Sequence, residues 1–315
     1  MGEGAVAVLG AGMAGAAAAR RLVEAGFAVH VFDKGRGPGG RMANRRTEAD
    51  LRFDHGAQYF RARGDAFRAR CDAWVAAGVA APWGAEARFV GVPTMTAPVR
   101  DLLDGVPVSS GTTITGVRRV GARWTVTDAA GTTAPDFDAV AVTFPAPQVA
   151  ALLDASGLVL PGIERATYAP CWSLMLTLDA DPGLPHDLLK PDAGPIALVV
   201  REASKPGRAA GHRLVAHAAP AWSRAHLEDP REAVQAALLA ALATVLGHPL
   251  HPIDATVHRW RYAMVETALG QDCVYDPAQR LGAAGDWCLG PRIEAAFDSG
   301  QALAQRIAAD LTGAR

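Results

Sequence analysis

The amino-acid sequence predicts an α/β fold with two packed units. Three observations predict it. A strand, a glycine-rich turn and a helix follow one another at the start of the chain. Alternating apolar and polar residues indicate further strands in the middle of the chain. The length of 315 residues exceeds that of a typical single domain and allows two units that share a ligand.

The first unit begins at an apolar run, residues 5–9, and continues into an alanine-rich helix at residues 13–25. The turn between them has the spacing Gly10-x-Gly12-x-x-Gly15. Gly10 permits a sharp turn, Gly12 removes a side chain where a pyrophosphate would touch backbone N–H groups, and Gly15 lets the helix pack on the strand. The predicted ligand contacts here are Gly10, Gly12, Met13, Ala14 and Gly15.

A second predicted strand, residues 28–32, ends at Asp33, eighteen residues after Gly15. A carboxylate at this position can accept hydrogen bonds from ribose hydroxyls. The spacing therefore predicts a dinucleotide-binding unit of the Rossmann type, contacted by Asp33 and the adjacent Lys34.

Two further glycine turns distinguish the dinucleotide. One is Gly39-Gly40-Arg41-Met42, and the other is Gly285-Asp286 near the end of the chain. A nicotinamide dehydrogenase needs neither turn, whereas a tightly held flavin uses both. Arg41 is expected to bind the pyrophosphate through charge-assisted hydrogen bonds, with Gly40 and Met42 beside it, and Asp286 is expected to bind a ribityl hydroxyl. These turns predict FAD.

A helix is predicted at residues 293–311. Its N-terminal N–H groups carry partial positive charge, which suits the N1 and C2 carbonyl edge of a reduced flavin ring. The predicted contacts are Ile293, Glu294 and Ala295.

The middle of the chain changes character at about residue 150. Before it, residues 112–117 and 123–127 alternate as strands of a small meander, and Ile114 is expected near the adenine. After it, candidate strands at 173–178, 196–200 and 214–217 and a helix at 231–246 indicate a second, sheet-based domain. The predicted boundaries are 1–70, 95–155 and 270–315 for the FAD-binding domain and 71–94 and 156–269 for the substrate domain.

The composition excludes several other classes. Basic and acidic residues are nearly equal, at 31 and 32, so we expect no nucleic-acid partner. The four cysteines form no C-x-x-C pair, and His248 and His251 are separated across prolines, so no metal site is predicted. No stretch of eighteen apolar residues and no signal-peptide core occurs, so we expect a cytoplasmic protein without membrane contact.

Several stretches resemble the renalase group of flavoproteins. The first is residues 53–60, Phe-Asp-His-Gly-Ala-Gln-Tyr-Phe, directly after the G-G-R-M turn. Residues 216–223, 258–263, 285–287 and 293–296 resemble bacterial members in order and spacing, so the resemblance covers essentially the whole chain. It implies a flavin domain of the p-hydroxybenzoate hydroxylase type with non-covalent FAD at the boundary of a substrate domain. It also implies that one segment passes beside the flavin ring, namely Gly56, Ala57, Gln58 and Tyr59.

The resemblance implies oxidation of misreduced nicotinamide dinucleotides, the 2- and 6-dihydro isomers of NAD(P)H, with oxygen as electron acceptor and hydrogen peroxide as product. Because loss of a hydride makes the nicotinamide aromatic again, the protein mainly needs to orient two rings. The substrate-side candidates are Trp260, Tyr262 and His217. The sequence assigns no oligomeric state.

Two alternatives stay open. A flavin-dependent amine oxidase would share the fold and place a lysine near the flavin. Lys205 is the candidate, although the flanking Pro206 and Gly207 favour an exposed turn lysine. The second alternative is an FAD-binding redox partner that does not catalyse turnover.

Overall fold

A computed structural model of the chain describes residues 4–47, 51–84 and 87–313. Within these ranges the strands are β1 (Ala5–Leu9), β2 (Ala28–Asp33), β3 (Arg45–Arg46), β4 (Arg52–Phe53), β5 (Ala80–Pro82), β6 (Phe89–Gly91), β7 (Val108–Ser110), β8 (Ile114–Val120), β9 (Arg123–Asp128), β10 (Thr133–Phe137), β11 (Ala139–Val142), β12 (Thr167–Leu178), β13 (Leu188–Leu189), β14 (Ile196–Arg201), β15 (His212–Ala218), β16 (Pro252–Thr267), β17 (Val274–Asp276) and β18 (Leu281–Ala283). The α-helices are α1 (Met13–Glu24), α2 (Asp65–Ala76), α3 (Ala97–Leu102), α4 (Ala146–Ala155), α5 (Pro220–Ala225), α6 (Arg231–Leu246), α7 (Asp286–Leu289) and α8 (Ile293–Gly313).

The first unit is built on a six-stranded sheet with the strand order β17-β18-β11-β1-β2-β7. All neighbours are parallel except the edge strand β17. Residues 6–9 of β1 are fully buried because layers cover both faces of the sheet, which explains their continuous apolar run. The carboxyl ends of β1 and β2 therefore deliver the Gly10–Gly15 turn and Asp33 to the same edge.

The two covering layers differ in structure. Val6 and Val8 share a core with residues of helices α1 and α8, such as Leu303. Ala7 and Leu9 share a second core with Trp124 of the antiparallel meander β10-β9-β8 and with α4. Alternate residues of one strand thus face a helical layer and a sheet layer.

The second unit is a five-stranded antiparallel sheet with the order β13-β14-β15-β12-β16. On one face, Trp172 and Leu174 of β12 pack with Leu238 of helix α6. On the other face, Met175 and Val215 contact Phe53 of the first unit. Alternate residues of β12 therefore point to helix α6 on one face of the sheet and to the first unit on the other.

Most predicted elements are present, and several strands are longer than predicted. The helix predicted at 231–246 has those bounds as α6, and the strands predicted at 173–178 and 214–217 extend to the full lengths of β12 and β15. The long strand β16 was not predicted, because its arginines, histidines and aromatic residues do not form a simple apolar alternation.

Residues 71–94, predicted to belong to the second domain, pack on the first unit. Cys71, Trp74 and Val90 are buried in the same core as helices α1 and α8. The short hairpin of β5 and β6 follows α2 directly and extends this core.

Candidate functional site

The glycines of the first turn lie in three different environments. Gly10 has a φ of +112°, a conformation that favours glycine. A Cβ on Gly15 would lie 1.8 Å from the Gly10 carbonyl oxygen, so only glycine allows this close packing. A Cβ on Gly12 would meet only the Gly40 Cα, at 3.9 Å. The protein itself therefore does not require glycine at position 12, which fits a ligand lying against it.

Helix α1 presents its N-terminus to the same place. Gly12 is its N-cap and provides no side-chain cap, and the first turn contains no acidic residue. The N–H groups of Met13 and Ala14 are thus in a position suited to an anionic pyrophosphate. Gly40, with a φ of +54°, brings the second glycine turn against Gly12.

Asp33 lies at the rim of this cradle. Its Oδ2 accepts the Ala11 N–H at 2.7 Å, and its Oδ1 accepts the Gly35 N–H at 2.6 Å. Each carboxylate oxygen can accept a further hydrogen bond, as a ribose diol would require. The neighbouring Lys34 is exposed, and Ile114 is buried at the start of β8.

Arg41 and Asp286, predicted to bind different parts of FAD, form a bidentate ion pair. The two N–O distances are 2.7 and 2.8 Å. Arg41 also donates to the Ala263 carbonyl of β16 at 3.2 Å, and so it ties the second glycine turn to the second unit. Burial alone would lower the pKa of Arg41, but the facing Asp286 carboxylate raises it, which keeps the guanidinium charged.

The start of helix α8 lies beside this pair. The Glu294 side chain, however, accepts the N–H groups of Arg63 and Gly64 at 2.9 and 2.7 Å and so holds the residues that precede helix α2. Ile293 and Glu294 can therefore serve a ligand through their backbone N–H groups, while the Glu294 carboxylate is engaged elsewhere. Ala295 is buried in the core.

The segment from Gly56 to Tyr59 runs between Arg41 and strand β16. A Cβ on Gly56 would lie 2.1 Å from the Arg41 carbonyl oxygen and 3.3 Å from the Trp260 ring. The Ala57 N–H donates to the Arg41 carbonyl at 2.8 Å, and the Trp260 indole N–H donates to the His55 carbonyl at 2.9 Å. The structure thus brings Gly56 and Trp260 together, as a shared ring-binding site requires.

Three rings form a cluster at this point. The His258 ring lies 4.7 Å from the His55 ring and 4.4 Å from the Trp260 ring, measured between centroids. Burial lowers the pKa of His55 to about 3, and burial and nearby arginines lower the pKa of His258 to about 4. Both imidazoles are therefore neutral at neutral pH. His258 was missed as a site residue, although it begins the H-R-W-R-Y stretch that carries part of the resemblance.

Tyr262 lies two residues beyond Trp260 on β16, and its ring is 5.7 Å from that of Tyr168 on β12. The Arg41 guanidinium lies 5.9 Å from the Tyr168 ring. Tyr168 was not predicted to be a site residue, because no motif in the sequence around it indicates one. It joins the site only because β12 and β16 pair.

Lys205 is completely buried, so the expectation of an exposed turn lysine is wrong. Its side chain is 0% exposed. Its Nζ donates to Glu202 Oε1 at 2.5 Å, Gln58 Oε1 at 2.8 Å and Asp54 Oδ2 at 3.3 Å. Pro206 and Gly207 do form a turn, but the lysine is buried because Glu202, three residues earlier, and the distant Asp54 both bind its ammonium group.

Arg208 completes this buried cluster. Its Nη2 donates to Asp54 Oδ2 at 2.5 Å. Burial alone would raise the pKa of Asp54, but Lys205 and Arg208 together lower it, so Asp54 is ionised. His217, a predicted substrate-side residue, joins the cluster through Gln58, whose amide nitrogen lies 3.4 Å from His217 Nε2.

Among residues 4–47, 51–84 and 87–313, no group of three or more His, Cys, Asp or Glu side chains could hold a metal ion. No helix in these same ranges is both long and apolar enough to cross a membrane.

Comparison with known proteins agrees with this arrangement. Residues 8–74 match the family described as NAD(P)-binding Rossmann-like domain, and residues 83–308 match the family described as flavin containing amine oxidoreductase. The fold is similar to that of a candidate protoporphyrinogen oxidase from Exiguobacterium sp. 255-15, with a TM-score of 0.79 and 14% identity over 98% of this chain and 99% of that chain. The predicted α/β fold with a second sheet-rich domain is thereby confirmed.

Proposed function

The chain belongs to the family of flavin-containing amine oxidoreductases, and we propose that it oxidises the 2- and 6-dihydro isomers of NAD(P)H to NAD(P)⁺. Family membership implies a flavin cofactor, and the glycine cradle, the α1 N-terminus and Asp33 support FAD. FAD, when bound, supplies a two-electron acceptor that can pass its electrons to oxygen.

The reaction balances without any catalytic acid or base. The dihydronicotinamide gives up one hydride and becomes aromatic. Oxygen takes up two electrons and two protons, one of them from solvent, and leaves as hydrogen peroxide. The protein's part is then to hold two flat rings in contact and to exclude competing groups.

The observation that carries the proposal is a set of flat side chains beside neutral imidazoles. Trp260 offers a planar surface next to Gly56, and Tyr262, two residues further along β16, offers a second one against Tyr168. Burial lowers the pKa values of His55, His217 and His258 to between about 3 and about 4, so none of them is half-protonated near pH 7. A hydride transfer that restores aromaticity fits such a site.

We also propose that FAD is bound non-covalently. A covalent thioether link would need a reactive thiolate, but burial raises the pKa of Cys171 and Cys288 to about 12. Buried thiols of this kind are poor nucleophiles. Denaturation in trichloroacetic acid should release all of the yellow colour into the supernatant.

Amine oxidation is the second candidate, and the burial of Lys205 beside Gln58 favours it. The same structure also supplies an argument against it. An amine substrate would need a free carboxylate or an aromatic cage for its ammonium group, and Asp54 and Glu202 are already engaged by Lys205 and Arg208.

The test is anaerobic mixing of the yellow protein with partly isomerised NADH or NADPH, with ordinary NADH and NADPH as controls, and with a panel of primary amines. Rapid bleaching of the flavin absorbance by the isomerised samples alone is expected. Bleaching by an amine alone would assign the chain to amine oxidation. A flavin that none of them bleaches would identify a redox partner without turnover.

A further inference from the structure

Lys205 is buried in the second unit and bonded to the first. It follows the 3-10 helix Glu202–Ser204, whereas two of its three hydrogen-bond partners, Asp54 and Gln58, belong to the segment beside Trp260. An ammonium group can only donate hydrogen bonds. Each of its partners must therefore present an oxygen.

This requirement fixes the amide of Gln58. Its Oε1 faces Lys205 at 2.8 Å, so its Nε2 must face the other way. There Nε2 donates to the backbone carbonyls of Asp54 and Gly56, the latter at 3.0 Å. Carbonyl oxygens only accept, so a flipped amide would lose favourable contacts at both ends.

The fixed amide in turn selects a tautomer of His217. Gln58 Nε2 lies 3.4 Å from His217 Nε2. The amide nitrogen can only donate, and its two hydrogens are shared among the carbonyls of Asp54 and Gly56 and this ring nitrogen, so His217 Nε2 must be the unprotonated, accepting nitrogen. Burial lowers the pKa of His217 to about 4, so the ring is neutral at neutral pH and its proton then lies on Nδ1. The His55 carbonyl, in the same segment as Gln58, accepts the Trp260 indole N–H at 2.9 Å.

We propose that Lys205 is a positioning residue: through the Gln58 amide it holds His217 in its neutral Nδ1-protonated tautomer beside Trp260. Lys205 acts at a distance from the reacting rings and does not itself meet oxygen or an amine. Asp54, Glu202 and Arg208 keep its charge compensated in the interior.

The cluster explains why this position needs a cation. Asp54 and Glu202 are 1% exposed, and Asp54 alone has a second cationic partner, Arg208. A neutral residue at position 205 would remove the ion pair of Glu202 and leave only the more distant charge of Arg213 near it, and breaking a buried ion pair strongly destabilises proteins. Lys205→Met alone is therefore expected to fold poorly.

The test variant is accordingly Lys205→Met combined with Glu202→Gln, which removes one charge of each sign. Gln58→Leu removes the amide directly, and Lys190→Met, at an exposed position, is the matched lysine control. The triple variant, with all three changes at 58, 202 and 205, tests whether Lys205 and Gln58 act as one unit.

The first readout is the tautomer of His217 in the FAD-loaded protein, observed by long-range ¹H–¹⁵N correlation spectra and assigned with His217→Gln. It needs no substrate, so its failure is separate from failure of the proposed function. We expect one Nδ1-protonated species in the wild type and in Lys190→Met. We expect both tautomers in Gln58→Leu and in the Lys205 and Glu202 double variant. An unchanged His217 spectrum in that double variant would overturn the proposal.

The second readout separates the two half-reactions and rests on the proposed substrate. Flavin reduction by the dinucleotide isomers should slow by about tenfold to a hundredfold, the scale expected for misplaced groups, with no further loss in the triple variant. Reoxidation by oxygen after dithionite reduction should change by less than about threefold. A loss of about a hundredfold in reoxidation alone would instead place Lys205 in the oxygen reaction.

A third readout is the pH profile of flavin reduction. Besides burial, the groups that face His217 are Lys205, His55 and, across Ser173 of β12, His258. The lysine charge helps to lower the pKa of His217 to about 4. Burial remains in the double variant, but loss of the lysine charge should raise the pKa, so the reduction rate should begin to change at a higher pH on acidification than in the wild type. Equal profiles for both proteins would contradict the proposed coupling.

Discussion

Gly12 and Gly15 lie three residues apart in one turn, yet a side chain would meet different surroundings at each. A Cβ on Gly15 would lie 1.8 Å from the protein's own backbone, so no side chain fits there. A Cβ on Gly12 would lie in open space, with the nearest atom, Gly40 Cα, at 3.9 Å. The sequence pattern treats both glycines alike. The structure separates a glycine required by packing from one that is available to the ligand.

Gly12→Asp should therefore give a folded protein that does not bind FAD. The new carboxylate fits the open space but repels the pyrophosphate, and we expect FAD affinity to fall at least about a hundredfold, or about 2.8 kcal/mol. Absorbance of bound flavin after reconstitution measures the effect. Gly37→Asp is the control, because a Cβ at that position would meet nothing within 4 Å. A yellow Gly12→Asp protein would contradict the proposed pyrophosphate position.

Trp260 is the second residue whose role can be isolated. Its indole N–H holds the His55 carbonyl, and its ring touches the Gly56 position. Trp260→Ala should slow flavin reduction about tenfold or more, because it removes both a flat surface and a support for the segment beside it. Stopped-flow traces of reduction and reoxidation check this, with Trp222→Ala on helix α5 as the control. Equal slowing of both half-reactions would argue for a general structural defect.

Among the elements, helices α1 and α8 pack closely against each other at Gly300. A Cβ there would lie 2.1 Å from the Ala14 carbonyl oxygen. Because Ala14 lies in the first turn of α1, this contact also fixes the position of the α1 N-terminus relative to the glycine turns. Packing of two helices thus controls the geometry of the predicted pyrophosphate site.

Gly300→Ala should destabilise the protein by about 1–3 kcal/mol, since overpacking forces the two helices apart. It should also weaken FAD binding, because α1 moves. Urea unfolding and FAD titration measure the two effects. Gly313→Ala on the same helix is the control, as its Cβ would meet nothing within 4 Å. Unchanged stability would show that the interface relaxes without cost.

How well the sequence predicts an element depends on where its stabilising contacts lie. The glycine turns and helix α6 were predictable because local spacing and apolar periodicity determine them. Strand β16 was not, because it is stabilised by pairing with β12, far away in the chain. Lys205 was misjudged for the same reason: the turn at Pro206 is local, but its carboxylate partner Asp54 is 151 residues away.

For the whole molecule, the site exists only where the two units meet. Arg41 reaches from the first unit to Ala263, Trp260 reaches from the second to His55, and Arg208 reaches from the second to Asp54. All of these contacts converge on the second glycine turn and on the segment 54–58. Any condition that loosens this junction should therefore affect stability and cofactor retention together.

Mild acid is such a condition. Burial lowers the pKa of His55 from 6.5 to about 3, so below about pH 6.5 the unfolded chain binds a proton there that the folded protein does not. Stability should then fall as the pH drops from about 6.5 toward about 4, by up to about 1.4 kcal/mol per pH unit for this histidine. Urea unfolding at fixed FAD concentration between about pH 7 and pH 5 measures the slope.

His55→Gln should have a shallower slope than the wild type, because the glutamine cannot be protonated in either state. The difference between the two slopes isolates His55 from His217 and His258, whose pKa values burial also lowers, and from the carboxylates. The lowered pKa of Asp54 places its own contribution below about pH 4, outside this window. Parallel slopes for the two proteins would mean that His55 takes up its proton without unfolding, and the junction would then be open to water.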